Sequence, residues 1–166
     1  MTYLWTPWRS TYMKAKKEQS RCIFCVAAAE PERDEENLVV FRGSSVFAIL
    51  NRYPYTSGHL MIAPYEHIAR LASATEETGA EMMRLTRRAE VILQRAYQPD
   101  GLNLGMNLGR AAGAGIEEHI HMHVLPRWSG DANFMTSVGN ARLIPEALEE
   151  TYAKLRDGFS ARQSEA

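Results

Sequence analysis

The sequence predicts an α+β domain: a five-stranded antiparallel sheet with one long helix packed on it and a C-terminal helix. Three observations carry this expectation. Short β-prone runs bounded by Gly, Pro, Asn or Ser recur along the chain. One long stretch, Ser73 to Tyr97, carries a helical apolar period. Near its end the chain alternates His119, Ile120, His121, Met122, His123 and Val124, a period-two pattern that suits a strand with one apolar and one polar face.

Each element follows in order. Residues 1–21 mix Tyr3, Trp5, Trp8 and Tyr12 with Lys14, Lys16 and Lys17 and read as an irregular N-terminal arm. The acidic run Glu30 to Glu36 contains Pro31 and reads as a solvated loop. Leu38–Phe41 and Val46–Leu50 flank Gly43-Ser44-Ser45 and read as a hairpin. Asn51 to Gly58 is turn-rich, and His59–Ala63 reads as a third strand closed by Pro64. In the long helix, Ser73 and Glu76 fit a capping box, and Met82, Leu85, Ala89, Ile92, Leu93 and Ala96 share one face. The Met82–Met83 pair reads as core filling, and Arg84, Arg87, Arg88 and Glu90 as a solvated face. Leu102–Met106 and His119–Leu125 are the fourth and fifth strands, the latter ended by Pro126. Pro145 to Leu155 reads as the C-terminal helix, with Pro145 in its first turn, and the tail from Ser160 as frayed. The expected division is therefore an arm over 1–21, a main domain over 22–134 and a C-terminal helical extension over 135–166.

Composition narrows the function. The 166 residues carry a formal net charge of −1, which argues against a dedicated nucleic-acid binder. No apolar run reaches the roughly 20 residues that span a bilayer, and no secretory h-region opens the chain. The expected location is the cytoplasm. Two cysteines, Cys22 and Cys25, stand three apart. They read as half a zinc site, a redox pair or two buried thiols.

Three of the five histidines stand in the alternating run. A neutral imidazole can bind a metal or act as a nucleophile at neutral pH. A His-x-His pair can chelate an ion, but the outer two rings of a straight strand lie about 13 Å apart, too far to share one. The loop Asn107 to Gly115 before this strand holds three glycines, and freed backbone amides of that kind suit phosphate oxygens.

Taken together, these residues resemble the histidine triad (HIT) superfamily of nucleotide hydrolases and transferases. Its His-φ-His-φ-His-φ-φ signature is matched by His119 to Leu125, and Asn51, Pro54, Gly58, His59 and Ile62-Ala63-Pro64 match its upstream strand pair. Leu4 to Arg9, Ala112-Gly113-Ala114-Gly115 and Pro126 to Phe134 are similar to the bacterial diadenosine tetraphosphate phosphorylase branch. Many hydrolases of the family carry glutamine where Gly115 stands here.

The resemblance implies a HIT-like sheet and a dinucleoside polyphosphate phosphorylase or hydrolase working through a nucleotidyl-histidine intermediate. A nucleoside phosphoramidase and a non-catalytic nucleotide-binding regulator are the alternatives. It implies His121 as nucleophile, with its tautomer fixed by the carbonyl of His119, and His123 on phosphate oxygen. Asn107, Gly113 and Gly115 become further phosphate contacts and Asn51 a ribose contact. Phe41, Phe47 and Ile49 either wall the adenine or fill the core. It also implies structural zinc on Cys22, Cys25, His67 and His119, and a homodimer or larger homo-oligomer. The expected partners are a nucleotide such as diadenosine tetraphosphate and inorganic phosphate, with no nucleic acid or membrane. His59 is expected to pack or bond locally.

Overall fold

The computed structural model describes residues 21–132, 136, 138–139 and 144–161. All of the expected N-terminal arm but Arg21, together with Asn133 and Phe134, lies outside the described residues. Five strands form one antiparallel sheet: β1 (Val39–Arg42), β2 (Val46–Leu50), β3 (Leu60–Pro64), β4 (Gly101–Met106) and β5 (Met122–Arg127). Their spatial order is β1-β2-β3-β5-β4. The chain leaves β3 through the long helix, lays down β4 at the far edge and returns with β5 between them. The α+β architecture expected from the sequence is the one observed.

The long helix, α3, spans Glu76–Tyr97. Its cap is Thr75 rather than Ser73: the Thr75 hydroxyl accepts from the Thr78 amide at 3.1 Å, while Ser73 closes a 3₁₀ turn. Met82, Leu85, Ala89, Ile92 and Leu93 are buried against the sheet, at about 1.5–3 kcal/mol for a large apolar side chain. Met83 is 52% exposed, so only one of the two methionines fills the core. Arg88 also departs from the expected solvated face. Its guanidinium lies 4.4 Å from the Phe41 ring and donates to the Phe159 carbonyl.

The C-terminal helix, α4, runs Leu148–Ser160, later than expected, and Pro145 precedes it. Glu146 stays outside the helix because its carboxylate accepts from the Tyr97 and Thr151 hydroxyls at 2.5 and 2.8 Å. The helix continues to Ser160 because Phe159 is buried and stacks on Phe41, ring centroids 5.4 Å apart. Gly158 permits this: a Cβ there would meet the Ile92 side chain at 2.6 Å.

Two segments correct the sequence reading. Ile23–Ala29 forms a short helix, α1, which the isolated Cys-x-x-Cys pattern did not signal. The acidic run is a 3₁₀ turn at Pro31–Arg33 followed by α2 (Asp34–Asn37), not a free loop. Asp34 is held because Arg42 reaches it at 2.6 Å while donating to the Ala27 carbonyl at 2.6 Å. This arginine ties α1 and α2 to the sheet.

The fifth strand starts later and ends later than expected. Its ladder begins at Met122, because the Ile120 amide instead donates to Ile68 O at 2.8 Å. It continues through Pro126, which pairs with Leu102, because the pairing of β5 with β3 ends at Val124, opposite Leu60, and no donor is needed on that side. Pairing of Phe41 with Ala48 and of Ala48 with Ile62 places Phe41 on the helix-covered face. Phe41 therefore does not face the histidines. Phe47 and Ile49 share the other face with Met61 and His123, but both are buried core residues.

Candidate functional site

The histidine face is not an open polar surface. His119, His121 and His123 are 0%, 5% and 8% exposed. For His119 and His121 the reason is α1, whose fully buried Phe24 lies against them at ring separations of 5.0 and 4.9 Å. His121 and His123 meet edge to face, centroids 4.8 Å apart.

Backbone bonds assign the ring nitrogens. A carbonyl only accepts, so the 2.9 Å contact between His121 Nδ1 and the His119 carbonyl requires a proton on Nδ1. The neutral ring then keeps a bare lone pair on Nε2. Burial lowers the His121 pKa, partly offset by that same bond, and so favours the neutral form. This tautomer is the one anticipated for the middle histidine.

His119 is oriented the other way. Its Nε2–H donates to the Pro64 carbonyl at 2.9 Å, and Nδ1 faces Cys22 Sγ at 3.4 Å and Cys25 Sγ at 3.7 Å. His67 Nδ1 lies 3.2 Å from Cys25 Sγ, and its Nε2 is 4.0 Å from the Glu118 carboxylate. The four ligand atoms of Cys22, Cys25, His67 and His119 lie within 4.8 Å of one another. Bonds of about 2.0–2.3 Å in a tetrahedron separate donors by about 3.3–3.8 Å, so these positions fit one four-coordinate ion. The outer ring nitrogen of His119 is directed by the Pro64 carbonyl, the usual support for metal-bound imidazole, whereas His67 Nε2 makes no hydrogen bond to the exposed Glu118. This cluster can hold a metal ion. Without one, burial and the neighbouring Cys22 thiol raise the Cys25 pKa.

Asn107 directly follows β4, whose Gly105 and Met106 pair with His123 and Met122. The loop turns back on glycines with φ of 82° at Gly109 and 88° at Gly113, values that exclude most side chains. A Cβ on Gly113 would lie 4.0 Å from the Asn107 amide nitrogen, so Asn107 and Gly113 are neighbours. Gly115 is exposed beyond them. Asn51 directly follows β2; its amide donates to the His59 carbonyl at 3.0 Å, and its side-chain oxygen accepts from the Tyr53 amide at 2.9 Å. Asn51 thus flanks the site through His59 rather than through the triad itself.

His59 was underrated by the sequence. It is 1% exposed, and its Nε2 lies 2.9 Å from His123 Nδ1. Burial and the other histidines lower its pKa to about 3, and that of His123 to about 4. Pairing of Met61 with His123 puts His59 on the histidine face, a strand register that the segment's own sequence does not signal. The half-exposed Tyr55 ring covers this pair, 4.8 Å from His59 and 6.2 Å from His123.

The site therefore combines a buried imidazole with a bare Nε2, a second imidazole beside it, a glycine loop at its rim and a cysteine–histidine cluster, including His119, that can hold a metal ion. Comparison with known proteins agrees with that assembly. The HIT domain family model matches residues 32–130. An AP-4-A phosphorylase of Mycobacterium tuberculosis is 42% identical over 154 residues, covering 89% of this chain and 79% of that protein. A crystal structure of a Zn-bound histidine triad family protein from Mycobacterium smegmatis has a TM-score of 0.66 and 28% identity, covering 84% of this chain and 93% of that one. A hypothetical histidine triad nucleotide-binding protein from Sulfolobus tokodaii has a TM-score of 0.66 and 30% identity, covering 84% and 92%. Fold, histidine geometry and sequence similarity converge: the chain belongs to the HIT domain family.

Proposed function

We propose that this protein is a nucleotidyl-transferring enzyme that splits dinucleoside polyphosphates, diadenosine tetraphosphate foremost, with inorganic phosphate as acceptor. The observation that carries this reading is the His121 ring, whose Nδ1–H is spent on the His119 carbonyl at 2.9 Å. That leaves Nε2 as a nucleophile needing no base. The similarity to the mycobacterial AP-4-A phosphorylase supports the choice of substrate.

In the first step the Nε2 pair forms a bond to the α-phosphorus, and the bond from phosphorus to the bridging oxygen breaks. ATP leaves and AMP remains on His121. In the second step a phosphate oxygen attacks that phosphorus and the P–N bond breaks, returning the pair to Nε2. The products are ADP and ATP; water in place of phosphate gives AMP and ATP. His123, Asn107 and the amides of Gly113 to Gly115 hold phosphate oxygens as charge shifts between them, and Asn51 takes a ribose hydroxyl.

Zinc is the ion we assign to Cys22, Cys25, His67 and His119, because two thiolates and two imidazoles suit it. Bound there, it supplies structural cross-linking and leaves the chemistry to His121. Using the cysteines as ligands suits a reducing cytoplasm. The catalytic domain and its extension are taken as 22–134 and 135–166. A homodimer or larger homo-oligomer is part of this reading, supported by the β4 edge, where Asn103, Leu104 and Gly105 are exposed.

Product analysis tests the function. Diadenosine tetraphosphate should give ADP and ATP only when phosphate is present, and His121→Ala should lower the rate by about 10⁴-fold or more with an unchanged circular dichroism spectrum. AMP and ATP formed regardless of phosphate would make the protein a hydrolase. Undiminished turnover by His121→Ala would reject the mechanism.

A further inference from the structure

We propose that the backbone amide of Tyr55 sets the tautomer of His123 through His59, so that His123 meets the substrate with its proton on Nε2. Three groups stand in a row. The Tyr55 amide lies 3.2 Å from His59 Nδ1, and an amide N–H can only donate. His59 Nδ1 is therefore bare. A neutral imidazole carries one proton, so that of His59 sits on Nε2. His59 Nε2 is 2.9 Å from His123 Nδ1, which must accept. His123 is left with its single proton on Nε2. The opposite assignment, His123 Nδ1–H donating to His59, would put the His59 proton on Nδ1 and point it at the Tyr55 amide hydrogen.

Two further observations support the single-proton condition. His59 and His123 are 1% and 8% exposed, and burial holds their pKa values to about 3 and about 4, so both are neutral at pH 7. The Tyr55 ring covers both imidazoles, which limits the water that could replace the amide.

The two neighbouring rings consequently present opposite polarity. His121 Nε2 is a bare pair and His123 Nε2–H is a donor. Resting on the function proposed above, His123 gives a hydrogen bond to a phosphate oxygen and keeps its proton, while His59 is a positioning residue that never touches substrate. His123 cannot then serve as a second nucleophile through Nε2.

Long-range ¹H–¹⁵N correlation spectra of histidine-labelled full-length protein at pH 7 read each tautomer without any turnover. His123 is expected as the Nε2–H form and His59 likewise. His59→Phe should release His123 into a mixture of tautomers and lower turnover about 10- to 100-fold, the scale of one hydrogen bond to a charged group. His59→Gln, whose amide can both accept from Tyr55 and donate to His123, should retain the Nε2–H form and most of the rate. A wild-type His123 carrying its proton on Nδ1 overturns the proposal, as does a His59→Phe protein with an unchanged His123 tautomer. Neither result touches the proposed reaction, which fails separately in the product analysis.

Discussion

Two imidazoles at the site are held uncharged by their surroundings, and that has a consequence for stability. His59 and His123 have pKa values of about 3 and about 4 in the folded chain, against an ordinary value near 6.5. Below pH 6.5 the unfolded chain binds protons at these positions and the folded chain does not. Stability from the pair is therefore complete above pH 6.5 and is lost as pH falls toward 4. Each group contributes a slope of about 1.4 kcal/mol per pH unit in that window. Urea unfolding at pH 7, 6 and 5 should show this decline, and His59→Gln should make it shallower by about one such slope. An unaltered slope would mean that His59 already titrates in the folded state. At this scale the sequence was most legible where spacing is short. His119, His121 and His123 announce themselves by alternation, and Cys22 and Cys25 by proximity. His59 stands sixty-odd residues from the triad and meets His123 only through the pairing of β3 with β5, which periodicity along one segment does not reveal.

Among elements, α1 matters out of proportion to its seven residues. It was invisible in the sequence because Ile23 to Ala29 is too short to show a helical period, and such a helix is not stable alone. Packing creates it: Phe24 and Ala27 are buried, and Arg42 fastens the Ala27 carbonyl. Strands and the long helix were legible because β1, β2 and β3 are compact apolar runs and α3 has three clear turns of core-facing residues. What escaped was tertiary: the histidine strand was read as polar-faced because nothing local says that α1 covers it. Phe24 is the side chain through which that cover acts. Phe24→Ala should cost about 3–5 kcal/mol in chemical unfolding, as expected for deleting a fully buried phenyl ring. Phe24→Leu should recover much of this. Equal, small losses for both variants would show that α1 does not close the histidine face.

At the scale of the whole molecule, the cysteine–histidine cluster joins parts of the chain that are remote in sequence. Cys22 and Cys25 belong to the start of α1, His67 follows β3, and His119 precedes β5. An ion bound by all four would staple α1 over the sheet and fix the segment whose His119 carbonyl orients His121. Because the unfolded chain lacks the assembled site, binding free energy appears as folding stability, growing as RT ln(1 + [metal]/Kd). At free metal 1,000-fold above Kd this is about 4 kcal/mol, worth roughly 10 °C or more in Tm for a domain of this size. Protein purified without chelator should contain near one equivalent of zinc, and excess chelator should lower its Tm by that order. The Cys22→Ser, Cys25→Ser protein should contain no zinc, melt near the chelated wild type and show no further response to chelator. A wild-type protein that is metal-free as isolated and indifferent to added zinc would reduce the cluster to two half-buried thiols beside two imidazoles. In that event α1 would be held by its apolar packing and Arg42, and the double serine variant would melt close to wild type.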